Sequence, residues 1–276
     1  MTRRSQFSSI FCYIILAGIV VYSITPFMWM LMSSFKTDSE ILKFPPTWLP
    51  AQPTLSAYGE ILTEGNFPIY YLNSVIVASS AAALSAIIGL MAGYGFSRFF
   101  FVGRGLLLTV FLASQMLPGV LLVGPYFKVL SFLHLYNTRI GLIIGLTTIT
   151  LPFSTWMLKG YADSIPKDMD EAAKMDGCGK TGTLFRIILP SMAPGLVTTT
   201  LFAFLLAWGD LLWALCLTTT DSMYTIPVAL ARLVGEFRIQ WAQIMAGSTI
   251  GLIPPVILYS LMSALLVKGL TKGAVK

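Results

Sequence analysis

The sequence predicts an all-α membrane protein of six spanning helices with both termini on the cytoplasmic side. Three observations predict it. Only 11% of the 276 residues are charged while 56% are hydrophobic, against roughly 25% charged in an ordinary soluble domain. Six stretches free of Asp, Glu, Lys and Arg reach the roughly 18 residues that a spanning helix needs: 5–35, 65–97, 105–127, 140–158, 187–209 and 239–267. Threading these through a bilayer puts 12 of the 18 basic residues on the side of the termini, where positive charge is retained. The same composition excludes a soluble globule and a disordered chain. The net charge of +6 reflects this topology, and no nucleic-acid partner is read from it.

Span one follows Arg3 and Arg4 and imitates a secretory signal. Its apolar run, Ile10 to Met32, outlasts the usual 7 to 15 residue core and has no small-x-small cleavage site after it, so it is expected to stay. The next charge-free stretch, 44–59, holds Pro45, Pro46, Pro50 and Pro53 and cannot pair its backbone in lipid as a helix. Residues 1–68 therefore read as span one plus an extracytoplasmic loop, 69–267 as the core with spans two to six, and 268–276 as a cytoplasmic tail.

Spans two, four and six contain Gly-x-x-x-Gly pairs at Gly89 and Gly93, Gly141 and Gly145, and Gly247 and Gly251. Each admits a close backbone neighbour, more often for local packing than as a dimer seam.

Between spans four and five lies the one large cytoplasmic loop, 159–190. Pro166 suits a first helical turn, Asp168, Asp170 and Glu171 suit the positive end of a helix dipole, and Lys174 the negative end. Gly177 supplies a left-handed stop. A second helix is expected from about Thr181, with Leu184 and Phe185 on one face, towards Pro190. So short a helix is marginal alone, and with the small pair Ala172 and Ala173 it favours docking over a solvated connection.

In span five Asp210 is the acid set in a long apolar run, beside Trp208 and Trp213. Two readings stay open: a polar group on a translocation path, or a helix end meeting interfacial water, where tryptophans gather. Beyond it, Ile226, Leu230, Leu233, Val234, Phe237 and Trp241, with Arg232 and Glu236 four apart, space out an amphipathic helix on the membrane surface.

Several chemistries are excluded. The one histidine, His134, rules out paired-histidine metal motifs, and no Gly-x-Ser-x-Gly elbow occurs. Cys12, Cys178 and Cys216 form no disulfide or metal pattern. Gly177-Cys178-Gly179-Lys180-Thr181 mimics the end of a phosphate-binding loop, but the motif needs glycine at Lys174 and a strand ahead of it. No metal, cofactor or nucleotide is assigned to this chain, which is not read as an enzyme.

Glu171-Ala172-Ala173, three residues, Gly177, nine residues, Ile187, one residue and Leu189-Pro190 resemble the EAA signature of permease subunits of bacterial ATP-binding-cassette importers. Further matches point to the carbohydrate branch, the maltose-type second permease. These are Trp29 with Ser34-Phe35-Lys36-Thr37, Pro45-Pro46-x-Trp48-x-Pro50, Tyr58, Asn73-Ser74, Gly93 to Arg98, Pro118, Pro125, and the ending Gly269 to Lys276. The resemblance implies a type I importer permease fold in a bacterial inner membrane. It also implies four kinds of partner: a second permease, two ATPase subunits holding ATP and Mg, a solute-binding protein outside, and an oligosaccharide or glycoside as cargo. Asp170, Glu171, Ala172, Ala173, Asp176, Gly177, Leu189 and Pro190 would couple to the ATPase, with Glu171 facing a basic residue there. Trp208, Asp210 and Trp213 are candidate path residues, and Pro227, Arg232 and Glu236 candidate contacts of the binding protein. The chain departs from the pattern at Gly209, where asparagine is usual, and at Cys178, where alanine is common. Rival readings are a permease for an osmolyte, polyamine or glycerol-phosphate compound, and an ion-coupled carrier using Asp210.

Overall fold

A computed structural model describes residues 3–235 and 239–274. The described residues are almost wholly helical, and the extended pairing among them is an isolated bridge, Val234 with Ile239. Five helices are long and apolar enough to cross a membrane: α1 (Arg3–Ser33, apolar from Phe11), α2 (Phe67–Arg98), α5 (Arg139–Asp163), α7 (Lys180–Trp208) and α10 (Trp241–Ala274). The third expected span is not straight. It consists of α3 (Arg104–Ala113) and α4 (Gly119–Phe132), which bend by 104° where they meet. Pro118 causes the break: it pushes Leu117 into an extended conformation and withholds an N–H from the preceding turn. Gln115 donates its side-chain amide to the Ile149 carbonyl (2.8 Å) and pins the break to α5.

The chain forms two compact units, one of Met1–Pro68 with Ala229–Ile253, the other of Ile69–Val228 with Pro254–Lys276. In the first, α1 runs into a loop folded back on its end. Lys36 is buried there, donates to the Thr47 carbonyl and lies over the Trp29 ring, which Trp48 meets edge-on. Ser34 and Tyr58 share a hydrogen bond of 2.7 Å. Glu40 accepts the Ala51 N–H (2.7 Å) and Asp38 accepts that of Ala242 (2.8 Å). Trp29, Ser34, Lys36, Trp48 and Tyr58, far apart in sequence, thus close one loop. Ala229–Ile253, expected within the core, packs with this unit.

The second unit is built on α2, α5 and α7. Gly89 and Gly93 let α2 lie on the backbone of α5 near Ser154 to Lys159, and Gly195 of α7 faces the Tyr161 ring. Ser85 and Thr150 share a buried hydrogen bond of 2.6 Å across the α2–α5 contact. Beyond it, Leu90, Tyr94, Leu158, Ala162, Leu184, Ile188 and Met192 form an apolar cluster where the three helices end together. At the opposite ends, Asn73 donates to the Ser222 and Tyr224 carbonyls (2.9 Å each) and accepts from Arg139 (2.7 Å). Asn137 accepts the N–H groups of Thr219 and Thr220, so the 218–225 loop is fastened to the starts of α2 and α5.

The segment after that loop corrects the sequence reading. An amphipathic surface helix over 226–241 is expected, but the helix α9 is Ile226–Arg232, after which Val234 pairs with Ile239. Ile226 and Val228 are buried within the protein, and the Ser74 hydroxyl accepts the Ile226 N–H. Of the predicted spacing, Ile226 is buried, Leu230 and Leu233 are half-buried and Val234 is exposed, so the spacing does not describe one continuous helix face. Phe237 and Glu236 lie outside the described residues.

Candidate functional site

The 159–190 loop carries the site. Its helix, α6 (Asp168–Met175), begins two residues after Pro166 rather than at it. It ends in a glycine motif: Gly177 has φ +76°, its N–H donates to the Lys174 carbonyl, and the Cys178 N–H donates to that of Ala173. These two bonds satisfy carbonyls that a helix end otherwise leaves orphaned. The second expected helix is continuous with span five. α7 starts at Lys180 and is wound wider, as a π-turn, over Thr183–Ile188 directly ahead of Pro190, which has no N–H to offer that turn. Leu184 is buried and Phe185 exposed, so they lie on different faces and not on one.

α6 is seated by one buried charge. Asp170 accepts the Tyr94 hydroxyl (2.7 Å) and the Arg98 Nε–H (2.9 Å). The same guanidinium donates to the Ile165 carbonyl (2.9 Å) and the Ser97 hydroxyl (3.2 Å). Ser97 in turn donates to Asp163 (2.6 Å), whose other oxygen meets Lys159 (2.5 Å). The end of α2 is thereby joined to the end of α5 and to α6. Met169 packs against the apolar cluster below and Ala173 is buried. Asp170 and Ala173 therefore face inward. The outward face is formed by Glu171, Ala172 and Met175, with Asp176 exposed behind them. Leu189 is half-buried and Pro190 exposed on α7.

Arg98 and Tyr94 are the side chains seating α6 that the sequence reading missed, and Met175 is an exposed one on its outward face. Arg98 and Tyr94 stood within the quoted Gly93 to Arg98 stretch. Met175 follows Glu171 by four residues, which places both on one helix face.

Span five ends at Trp208, beside Asp210, as the helix-end reading expects. Asp210 accepts the N–H groups of Trp213 (2.9 Å) and Ala214 (3.2 Å), capping the short helix α8 (Leu212–Leu217). Trp208 stacks on Phe204, and Trp213 is met edge-on by Tyr126 of α4 at 4.7 Å. Both indoles are buried. Of the binding-protein candidates, Pro227 is half-buried and Arg232 exposed. Among the described residues no group of three or more His, Cys, Asp or Glu is placed to hold a metal.

Residues 85–272 match the family model described as binding-protein-dependent transport system inner membrane component. The chain is 37% identical over 277 residues to the inner membrane ABC transporter permease protein YcjP of Escherichia coli, covering 100% of this chain and 99% of that protein. It is 39% identical over 254 residues to the trehalose/maltose transport system permease protein MalG of Thermococcus litoralis, covering 91% of each. It is 34% identical over 258 residues to the sulfoquinovosyl glycerol transport system permease protein SmoH of Agrobacterium fabrum, covering 94% and 90%. Among solved structures it resembles a bacterial ABC transporter that imports the acidic polysaccharide alginate, with a TM-score of 0.79 at 20% identity over 96% of this chain and 98% of that one.

Proposed function

The chain belongs to the family of binding-protein-dependent transport system inner membrane components, and from that premise we propose that it carries sugar across the membrane by alternating access. It is a multi-pass inner-membrane permease subunit of an ABC importer, not an enzyme. Its cargo is a sugar, as the names of its relatives indicate, and our finer reading is an oligosaccharide or a glycoside. A solute-binding protein delivers that cargo. A second permease subunit and two ATPase subunits holding ATP and Mg complete the assembly in this reading, and the 159–190 loop and both termini lie in the cytoplasm.

The observation that carries the coupling proposal is the way α6 is mounted. One face is locked to α2 and α5 through Asp170 and Arg98, while Glu171, Ala172 and Met175 stand free on the other. Closure of the ATPase pair moves α6, and the lock moves α2 and α5 with it. Such closure shifts the helices only by the difference in its affinity for the two states. Asp170, Ala173 and Gly177 seat and end the helix, and Glu171 meets the partner. Leu189 and Pro190 mark where the motion enters α7.

The sugar path follows the two helix breaks, 114–118 and 209–211. Irregular backbone is tolerated at membrane depth only where it is buried in protein or lines a wet cavity. Ser114 and Gln115 are exposed at the first break, and Asp210 holds the second by capping α8, with Trp208 and Trp213 as its apolar wall. A carboxylate occupied in capping is poorly placed to couple an ion, which disfavours the carrier reading. Outside, Pro227, Arg232 and Glu236 are the proposed contacts of the binding protein.

The test reconstitutes the complex with its ATPase and binding protein. Glu171→Ala is expected to lower sugar uptake at least fivefold and to abolish the stimulation of ATP hydrolysis by loaded binding protein, with the thermal unfolding of the complex unchanged. Gly177→Ala puts a Cβ at a positive φ and is expected to cost about 1 kcal/mol, lowering the unfolding temperature as well. Uptake and stimulation intact in both variants would refute the coupling assignment.

A further inference from the structure

Where α2 ends and α3 begins, the chain turns through Phe99-Phe100-Phe101-Val102-Gly103-Arg104, with Gly103 at φ +84° making the bend. The turn hides none of these apolar side chains well: Phe100 is 83% exposed and Val102 fully so. Leu106, Leu107 and Val110 continue the exposed apolar surface along α3. Beneath the turn lies a cavity of about 730 Å³, shared with the segment after α5 and lined by Ser97, Arg98, Phe101, Arg104, Asp163 and Lys167 among others.

The charges of this cavity do not balance. Arg98 is committed to Asp170, and Asp163 to Lys159 and Ser97. Lys167 is in no contact ion pair among the described residues, and Arg104 attracts Asp163 without a contact pair. They flank one exposed ring instead, Arg104 at 5.1 Å and Lys167 at 5.5 Å from the Phe100 centroid. The ring offsets their charge only in part.

We propose that the cavity holds the headgroup of an anionic phospholipid, its phosphate between Arg104 and Lys167 and its acyl chains along Phe100, Val102 and α3. The proposal rests on the inner-membrane reading above, because that reading sets the turn at the bilayer boundary. Two spans end and a third begins beside the cavity, at the height where acyl chains give way to headgroups. Basic pockets between spans at this level suit phosphate headgroups. A soluble anion would have no use for the apolar rim, whereas a lipid needs both halves. Lys167 precedes α6 directly, so a bound lipid would brace the base of the coupling helix.

The experiment uses the assembled importer, exchanged into nanodiscs of phosphatidylcholine and phosphatidylglycerol and examined by native mass spectrometry. The wild-type permease is expected to retain phosphatidylglycerol in preference to phosphatidylcholine. Arg104→Gln with Lys167→Gln is expected to lower that retention about tenfold, Phe100→Ser to weaken it, and Arg104→Lys with Lys167→Arg to preserve it. Equal retention of the two lipids by the wild type would overturn the proposal, as would undiminished retention by the double glutamine variant. Loss of the ATPase subunits with lipid retention unchanged would overturn it too, and would assign the face to the ATPase. ATP hydrolysis stimulated by loaded binding protein, followed in the same samples, tests the importer reading separately from the lipid.

Discussion

Arg98→Ala is expected to abolish sugar uptake and to lower the stability of the complex sharply. Both partners of the pair are nearly inaccessible, with 6% of the Arg98 side chain and 10% of the Asp170 side chain exposed. Removing one partner of a buried pair leaves the other charged and unpaired, which costs about 3–5 kcal/mol. Here the orphan would be Asp170, left with the Tyr94 hydroxyl alone, and the Ile165 carbonyl would lose its donor. Arg98→Lys should not rescue it, because a single ammonium cannot spread over Asp170, Ile165 and Ser97 as the planar guanidinium does. Asp170→Asn keeps one acceptor oxygen for Arg98 and can donate its amide to the Tyr94 hydroxyl oxygen, so it is expected to be milder. The double replacement Arg98→Met with Asp170→Leu separates the two roles of the pair. Apolar residues of similar volume often match a buried pair in stability, so its unfolding temperature should recover in part, with the Tyr94 hydroxyl and Ile165 carbonyl still lacking partners, while the directed seating of α6 stays lost. Thermal unfolding and ATP-driven uptake, measured on the same preparations, check both parts. Uptake by Arg98→Ala within twofold of wild type would mean that this pair does not hold the coupling helix.

Much of this arrangement was legible from residue spacing. The apolar stretches located the membrane helices because lipid admits little charge, and Gly177 announced a helix end because glycine alone takes a positive φ without strain. Asp168, Asp170 and Glu171 together marked the start of α6, but period and charge could not separate them. Asp170 turns inward because Arg98, 72 residues earlier, waits there, and a pairing across that distance leaves no local trace. Asp210 was open to two readings for a related reason. Its position in an apolar run was visible, whereas its use as a cap depends on the chain breaking at Gly209, which hydropathy does not register. Pro118 carried the signal for the bend in the third span. Proline is common enough in membrane helices, as Pro125, Pro152 and Pro194 show here, that its presence alone does not distinguish a break from a tolerated kink. At 226–241 the apolar spacing fitted a helix, but the chain leaves the helix after Arg232 and pairs Val234 with Ile239, a break the spacing does not register.

Gly93→Ala is expected to force α2 off α5 and to be strongly destabilising. A Cβ at this position would sit 2.7 Å from the Lys159 nitrogen and 3.0 Å from the Leu158 carbonyl carbon and the Thr155 oxygen. All three are backbone atoms, so no side chain can swing aside and α2 must move away from α5. Overpacking of this kind costs about 1–3 kcal/mol, occasionally more. The displacement also reaches the Ser85–Thr150 bond and the apolar cluster under α6, so coupling should weaken along with stability. Gly89→Ala, whose added carbon would lie 3.1 Å from the Ser154 Cβ, should be milder. Gly95→Ala meets nothing within 4 Å and should be neutral or stabilise α2 by up to about 1 kcal/mol, as alanine is the better helix former. Unfolding temperatures of the three variants should therefore fall in the order Gly95→Ala, Gly89→Ala, Gly93→Ala. The ranking also decides what the Gly-x-x-x-Gly pair is for. If Gly93→Ala released the second permease subunit while this chain kept its unfolding temperature, the glycines would belong to a subunit seam, and the close α2–α5 contact would not be their purpose.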